Sequence, residues 1–189
     1  MNELYHGSHI QGLKVISPKE SGHGTPYVYA VSELAFAAIF SVPVRNSLIA
    51  AWGRLEGIPY FCEKKDSAFN LFYEGKKSSI YTVDSKDFFH REGTWRDEFV
   101  SEVEVPILEE IKIDNVKEYL LDLQEQGKFR YISFEEREKY FPNYKEEDIS
   151  DALKMVEKYG PEETLDSLNQ WRPDLTDDVL LRLESQNIS

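Results

Sequence analysis

Cysteine is almost absent from this chain: among 189 residues there is one, Cys62. A lone thiol closes no intramolecular disulfide, so the fold relies on a packed core and not on covalent staples, and Cys62 between Phe61 and Glu63 reads as a buried thiol. No apolar run approaches the roughly 18 residues of a membrane-spanning helix. The start, Met1-Asn2-Glu3-Leu4-Tyr5-His6, lacks the basic and apolar segments of a secretory leader, so a cytoplasmic protein is expected. Also missing are a Gly-rich phosphate loop, paired cysteines for zinc, a His-Glu-x-x-His helix and a Gly-x-Ser-x-Gly elbow. His6, His9 and His23 have no Cys or carboxylate at matching intervals, so no metal site is expected.

Positive charge is in deficit, with 22 Lys and Arg against 35 Asp and Glu and a formal net charge of −13. Such a surface repels phosphate backbones and disfavours nucleic acids and anionic membranes as partners. The deficit is uneven: residues 1–108 carry 14 acids and 11 bases, residues 109–189 carry 21 acids and 11 bases.

What the sequence does hold is apolar and aromatic material, 41% and 13% of residues, enough for a sizeable core. Up to about Ile113 the pattern is one of short strand-like runs broken by Gly, Pro, Ser and Asp: Leu4–His6, Tyr27–Val31, Ile58–Glu63, Phe69–Tyr73, Ile80–Val83, Phe99–Val105 and Ile107–Ile113. One helix is expected after Ser32 as N-cap, running until Pro43, and a second over Ser47–Leu55. Beyond Asp114 the spacing turns helical, over Val116–Gln126, Asp148–Tyr159, Pro161–Trp171 and Asp174–Ser185, with Ser133 and Glu136 at capping-box spacing. The fold class expected is α+β: a strand-rich domain over 1–113 and an acidic helical region over 114–189 packed on it.

Chemistry-bearing residues gather near the N-terminus. Tyr5-His6-Gly7-Ser8 is followed by a Gly-containing stretch, then by Tyr27-Val28-Tyr29-Ala30-Val31-Ser32 leading into Ala35-Phe36-Ala37-Ala38. A histidine at a strand end with glycine beside it lets a ligand approach the backbone closely. These two elements, in this order, resemble the His/Tyr/Glu branch of the ADP-ribosyltransferase superfamily, which includes poly-ADP-ribose polymerases and bacterial rifampin-modifying enzymes. The resemblance covers roughly the first 40 residues.

The resemblance implies an ADP-ribosyltransferase-like fold and NAD as substrate. His6 would donate a hydrogen bond to a ribose hydroxyl, Gly7 and Ser8 would line the donor site with Gly7 offering backbone groups to the carboxamide, and Tyr29 would stack on nicotinamide. A later carboxylate would favour the positive charge that develops as nicotinamide leaves. Glu98, which opens the run Phe99–Val105, is the first choice; Asp97, Glu102 and Glu104 are rivals that alternation alone does not separate. The acceptor of the ADP-ribosyl group is not legible. The alternative is a non-catalytic interaction protein on the same fold, whose acidic helical surface binds a basic protein partner.

Overall fold

Five of the seven strand-like runs of the first half, at Leu4–His6, Tyr27–Val31, Ile80–Val83, Phe99–Val105 and Ile107–Ile113, contribute strands to one sheet. In the computed structural model, which describes residues 3–20, 25–43, 46–92 and 95–187, the fold is α+β, with a curled antiparallel sheet and C-terminal helices. The strands are β1 (Glu3–Ser8), β2 (Val15–Ile16), β3 (Val28–Val31), β4 (Ala50–Leu55), β5 (Ile58–Glu63), β6 (Ser78–Asp84), β7 (Glu98–Ser101), β8 (Val105–Ile113) and β9 (Arg130–Ile132). The helices are α1 (Leu34–Ile39), α2 (Ala68–Tyr73), α3 (Val116–Glu125), α4 (Arg137–Tyr140), α5 (Tyr144–Tyr159), α6 (Pro161–Trp171) and α7 (Pro173–Asn187). Among the described residues no helix is long and apolar enough to cross a membrane.

Two compact units divide the chain. The first comprises Met1–Arg45, Glu56–Pro59 and Phe72–Arg130; the second comprises Asn46–Leu55, Tyr60–Leu71 and Tyr131–Ser189. The expected boundary at residue 113 falls inside the first unit, because α3 buries Val116, Leu120 and Leu123 and packs on α1.

The first unit is built on a six-stranded sheet in the order β2-β8-β6-β1-β3-β7. Its central strand β6 is buried along nearly its whole length, as a strand covered on both faces must be. Leu4, Ile16, Val28, Ala30, Tyr81, Val83 and Val105 form one core cluster. Helix α1, with Ala35 through Ile39 all buried, packs on β1, β3 and β6. Its N-cap position is Glu33, not the expected Ser32, and no side chain caps it. The helix is held by burial of its small apolar surface more than by capping.

The second unit has a three-stranded sheet, β4-β5-β9, with α5, α6 and α7 packed on one another. Two expectations are corrected here. Ser47–Leu55, read as a helix, is a turn followed by β4, joined to β5 by the two-residue turn Glu56-Gly57 with φ of 53° and 84°. Positive φ at both positions is the hairpin geometry that matches strand twist, and it selects a strand over a helix on its N-terminal side. Phe69–Tyr73, read as a strand, is helix α2: Glu63 Oε1 accepts from the Phe69 N–H at 2.7 Å, and Phe69 stacks on Tyr131 with centroids 4.4 Å apart. Aromatic content favours strands, but tertiary packing overrides that preference. The run Phe99–Val105 is likewise split, since β7 ends at Ser101 and β8 begins at Val105.

Candidate functional site

Strand β1 is paired with β6 over its full length, from Glu3 opposite Asp84 to Ser8 opposite Ser79. On its other side the register with β3 is Tyr5 opposite Val31. Beyond that pair the strands part, and the His6 side chain reaches across: its Nδ1 lies 2.6 Å from the Tyr29 carbonyl oxygen. A carbonyl only accepts, so Nδ1 carries the proton of this bond. The two motifs, 23 residues apart, are thereby clasped together.

Around this clasp lies a cleft of about 570 Å³, within the usual size range of ligand sites. It is lined by His6, Gly7, Ser8, Tyr29 and Glu98 together. Glu98 arrives there because β7 pairs antiparallel with β3, placing Glu98 opposite Val31, itself a lining residue. The rivals fall elsewhere: Glu102 and Glu104 sit in the exposed bend between β7 and β8, Glu104 accepting from Ser17 Oγ at 2.7 Å, and Asp97 is outside the lining.

Glycine at position 7 has a packing cause. A Cβ there would meet the Ala37 carbonyl oxygen at 1.9 Å and Ser41 N at 3.0 Å, so only glycine lets α1 approach β1 this closely. Ser8 is half-buried, and its Oγ accepts from the Ile10 N–H at 3.1 Å. Tyr29 is half-buried and meets Tyr27 edge to face with ring centroids 6.1 Å apart; Tyr27 in turn carries the Arg91 guanidinium 5.4 Å above its ring. Both tyrosines line the cleft, as residues two apart on an extended chain share a face.

The far wall, Leu13 to Ser17, was not legible as part of a site. It is pinned to the sheet by Glu110 Oε1, which accepts from Gly12 N–H and Ser79 Oγ at 2.7 Å each. Those bonds hold the Glu110 carboxyl below the usual carboxylate range. Leu13 N–H donates to the Tyr81 hydroxyl at 3.0 Å, and that hydroxyl donates to the Ile10 carbonyl at 2.8 Å. Phe40 and Ala37 of the α1 segment also line the cleft, although an all-apolar helix gave no signal of that. Charged lining residues are Lys19, Glu20 and Glu98.

Among the described residues no group of three His, Cys, Asp or Glu gathers to hold a metal ion; His23 lies outside those residues. No protein-family model matches the chain, and neither a curated protein nor a solved structure matches it.

Proposed function

We propose that the cleft binds NAD as substrate and supports cleavage of its nicotinamide–ribose bond, passing the ADP-ribosyl group to an acceptor or to water. The observation that carries this reading is convergence: His6, Gly7, Ser8, Tyr29 and Glu98, singled out from separate stretches of sequence, line one cavity. The residues suit the ligand chemically. An imidazole such as His6 bonds ribose hydroxyls, a tyrosine face such as that of Tyr29 is a platform for a planar cationic ring, and a carboxylate such as Glu98 favours developing positive charge at the ribose carbon.

The test is nicotinamide release from NAD by purified protein. Glu98→Gln should lower the rate by about 10²–10³, the usual loss of one electrostatic contact to the transition state, with NAD affinity little changed. Absence of release together with absence of NAD binding by calorimetry would overturn the reading.

Exposed Glu146, Glu147, Glu162, Glu163, Asp166 and Asp177 favour a second reading, a non-catalytic protein whose acidic helices bind a basic partner. Salt-sensitive binding of a basic polypeptide such as polylysine, without NAD turnover, would select it.

A further inference from the structure

The segment between β1 and β2 has little apolar surface to hold it in place. Ile10, Gln11, Gly12, Lys14 and Val15 are exposed, Leu13 is half-buried against the core cluster, and the first fully buried side chain after Ser8 is that of Ile16. A stretch that buries so little opens readily unless polar bonds restrain it.

Here four consecutive residues are restrained, and every partner lies on β6 or β8. The Ile10 carbonyl accepts from the Tyr81 hydroxyl at 2.8 Å, Gln11 Nε2 donates to the Ser78 carbonyl at 2.8 Å, Gly12 N–H donates to Glu110 Oε1 at 2.7 Å, and Leu13 N–H donates to the Tyr81 hydroxyl at 3.0 Å. The Glu110 oxygen is itself fixed, because it also accepts from Ser79 Oγ at 2.7 Å. Bonds to an ionised acceptor are the stronger kind.

The strap so formed joins the two walls of the cleft. It leaves β1 after Ser8 and delivers Leu13, Val15 and Ile16 to the far side, so its placement sets the width of the space beside His6. Glu110 and Tyr81 do not line the cleft themselves.

We infer that Glu110 and Tyr81 are positioning residues, which hold the strap down and so keep the cleft at the width that binds NAD. The inference rests on the NAD reading above. Without the latch the far wall is in place for only part of the time, and the apparent Kd rises in inverse proportion to that fraction. A complex already formed has its wall in place, so turnover at saturation is spared.

The experiment has one arm without ligand and one with it. Without NAD, amide exchange followed by NMR should show the Gly12 N–H protected in the unsubstituted protein and exchanging faster in Glu110→Ala. Amides of β1 and β6 should stay protected, which separates loss of the latch from loss of the fold. With NAD, Glu110→Ala should raise Kd about 10–100-fold, the loss of bonds to a charged acceptor, and leave kcat for nicotinamide release little changed. Tyr81→Phe should free the Leu13 N–H and raise Kd about tenfold; if Glu110→Ala does not fold, this variant decides. Glu110→Gln, which keeps an acceptor oxygen without the charge, should restore part of the affinity. Unchanged exchange at Gly12, faster exchange with an unchanged Kd, a fall in kcat at constant Kd, or a glutamine variant no better than the alanine one would overturn the inference and leave the NAD reading standing. Failure of the unsubstituted protein to bind NAD would remove both, while the exchange arm still reports the latch.

Discussion

In the second unit, charged side chains are closed around one another. Asp148, with 1% of its side chain exposed, receives Arg137 through two bonds of 2.7 and 2.6 Å, Arg172 at 2.9 Å and Lys64 at 3.1 Å. In the first unit the chargeable groups His6 and Glu98 line an open cleft instead. One carboxylate joins the segment after β5, α4, α5 and the junction of α6 with α7, where Arg172 also donates to the Leu48 carbonyl at 3.1 Å. The difference teaches that an ionisable cluster is not by itself a site. Every charge in the Asp148 cluster has its counter-charge within the protein, with Asp151 and Asp174 completing the set for Lys64 and Arg172. In the cleft, the arrangement leaves room for a molecule that is not part of the chain.

The comparison can be broken most forcefully at its hub. Asp148→Ala removes the ion-pair partner of buried Arg137 and one of two partners each from Lys64 and Arg172, and should cost about 3–5 kcal/mol, read from the midpoint of denaturant unfolding; a loss below about 1 kcal/mol would mean the cluster is not structural. Next comes Gly7→Ala, whose methyl group would overlap the Ala37 carbonyl. Moving α1 away should cost about 1–3 kcal/mol and weaken the proposed NAD binding, which calorimetry would detect.

Acidification should weaken the second unit. Burial alone would raise the Asp148 carboxyl, but the guanidiniums and the Lys64 ammonium hold it below the usual range, and Asp151 and Asp174 are held down by their own cationic partners. The unfolded chain therefore takes up protons at higher pH than the folded one. Stability is fully present above the unfolded carboxylate value of about 4 and is lost as pH falls through the lower folded values. Unfolding free energy that stayed constant over that window would contradict the assignment. The smallest effect belongs to Lys77→Ala. Its ion pair with Asp114 at 3.0 Å is well exposed on both sides, and its loss should shift stability by less than about 0.5 kcal/mol.

Much of this was legible in the sequence where local signals and burial agree. Ile58–Glu63 and Pro161–Trp171 were read to the residue, the latter because Gly160 and Pro161 mark its start. Ser133 and Glu136 do bond, Glu136 N–H to Ser133 Oγ at 3.3 Å, but the N-cap of α4 is Glu136, so the pair closes a turn ahead of the helix and is not the expected capping box. Elements fixed by long-range contacts were not legible. The apolar spacing of Ser47–Leu55 suits a helix, and only the Glu56-Gly57 turn, a signal present in the sequence, makes it a strand. For α2 the deciding partner is Glu63, whose second oxygen accepts from Phe134 N–H at 3.1 Å, 71 residues away. Short motifs mark four of the cleft-lining residues, His6, Gly7, Ser8 and Tyr29, while Glu98 needs the register of β7 on β3 to stand apart from Glu102 and Glu104. Nothing in the sequence tells that Leu13 to Ser17 form a wall, since Glu110 holds them from 98 positions away.

The single thiol has a practical use. Cys62 is 1% exposed, and burial pushes its pKa up to about 11, so neither access nor thiolate is available to an alkylating reagent in the closed state. Alkylation must wait for the surrounding segment to open, and its rate then counts those openings. The chain carries a built-in clock for the unit around Asp148, readable by mass spectrometry without adding any label to the cleft.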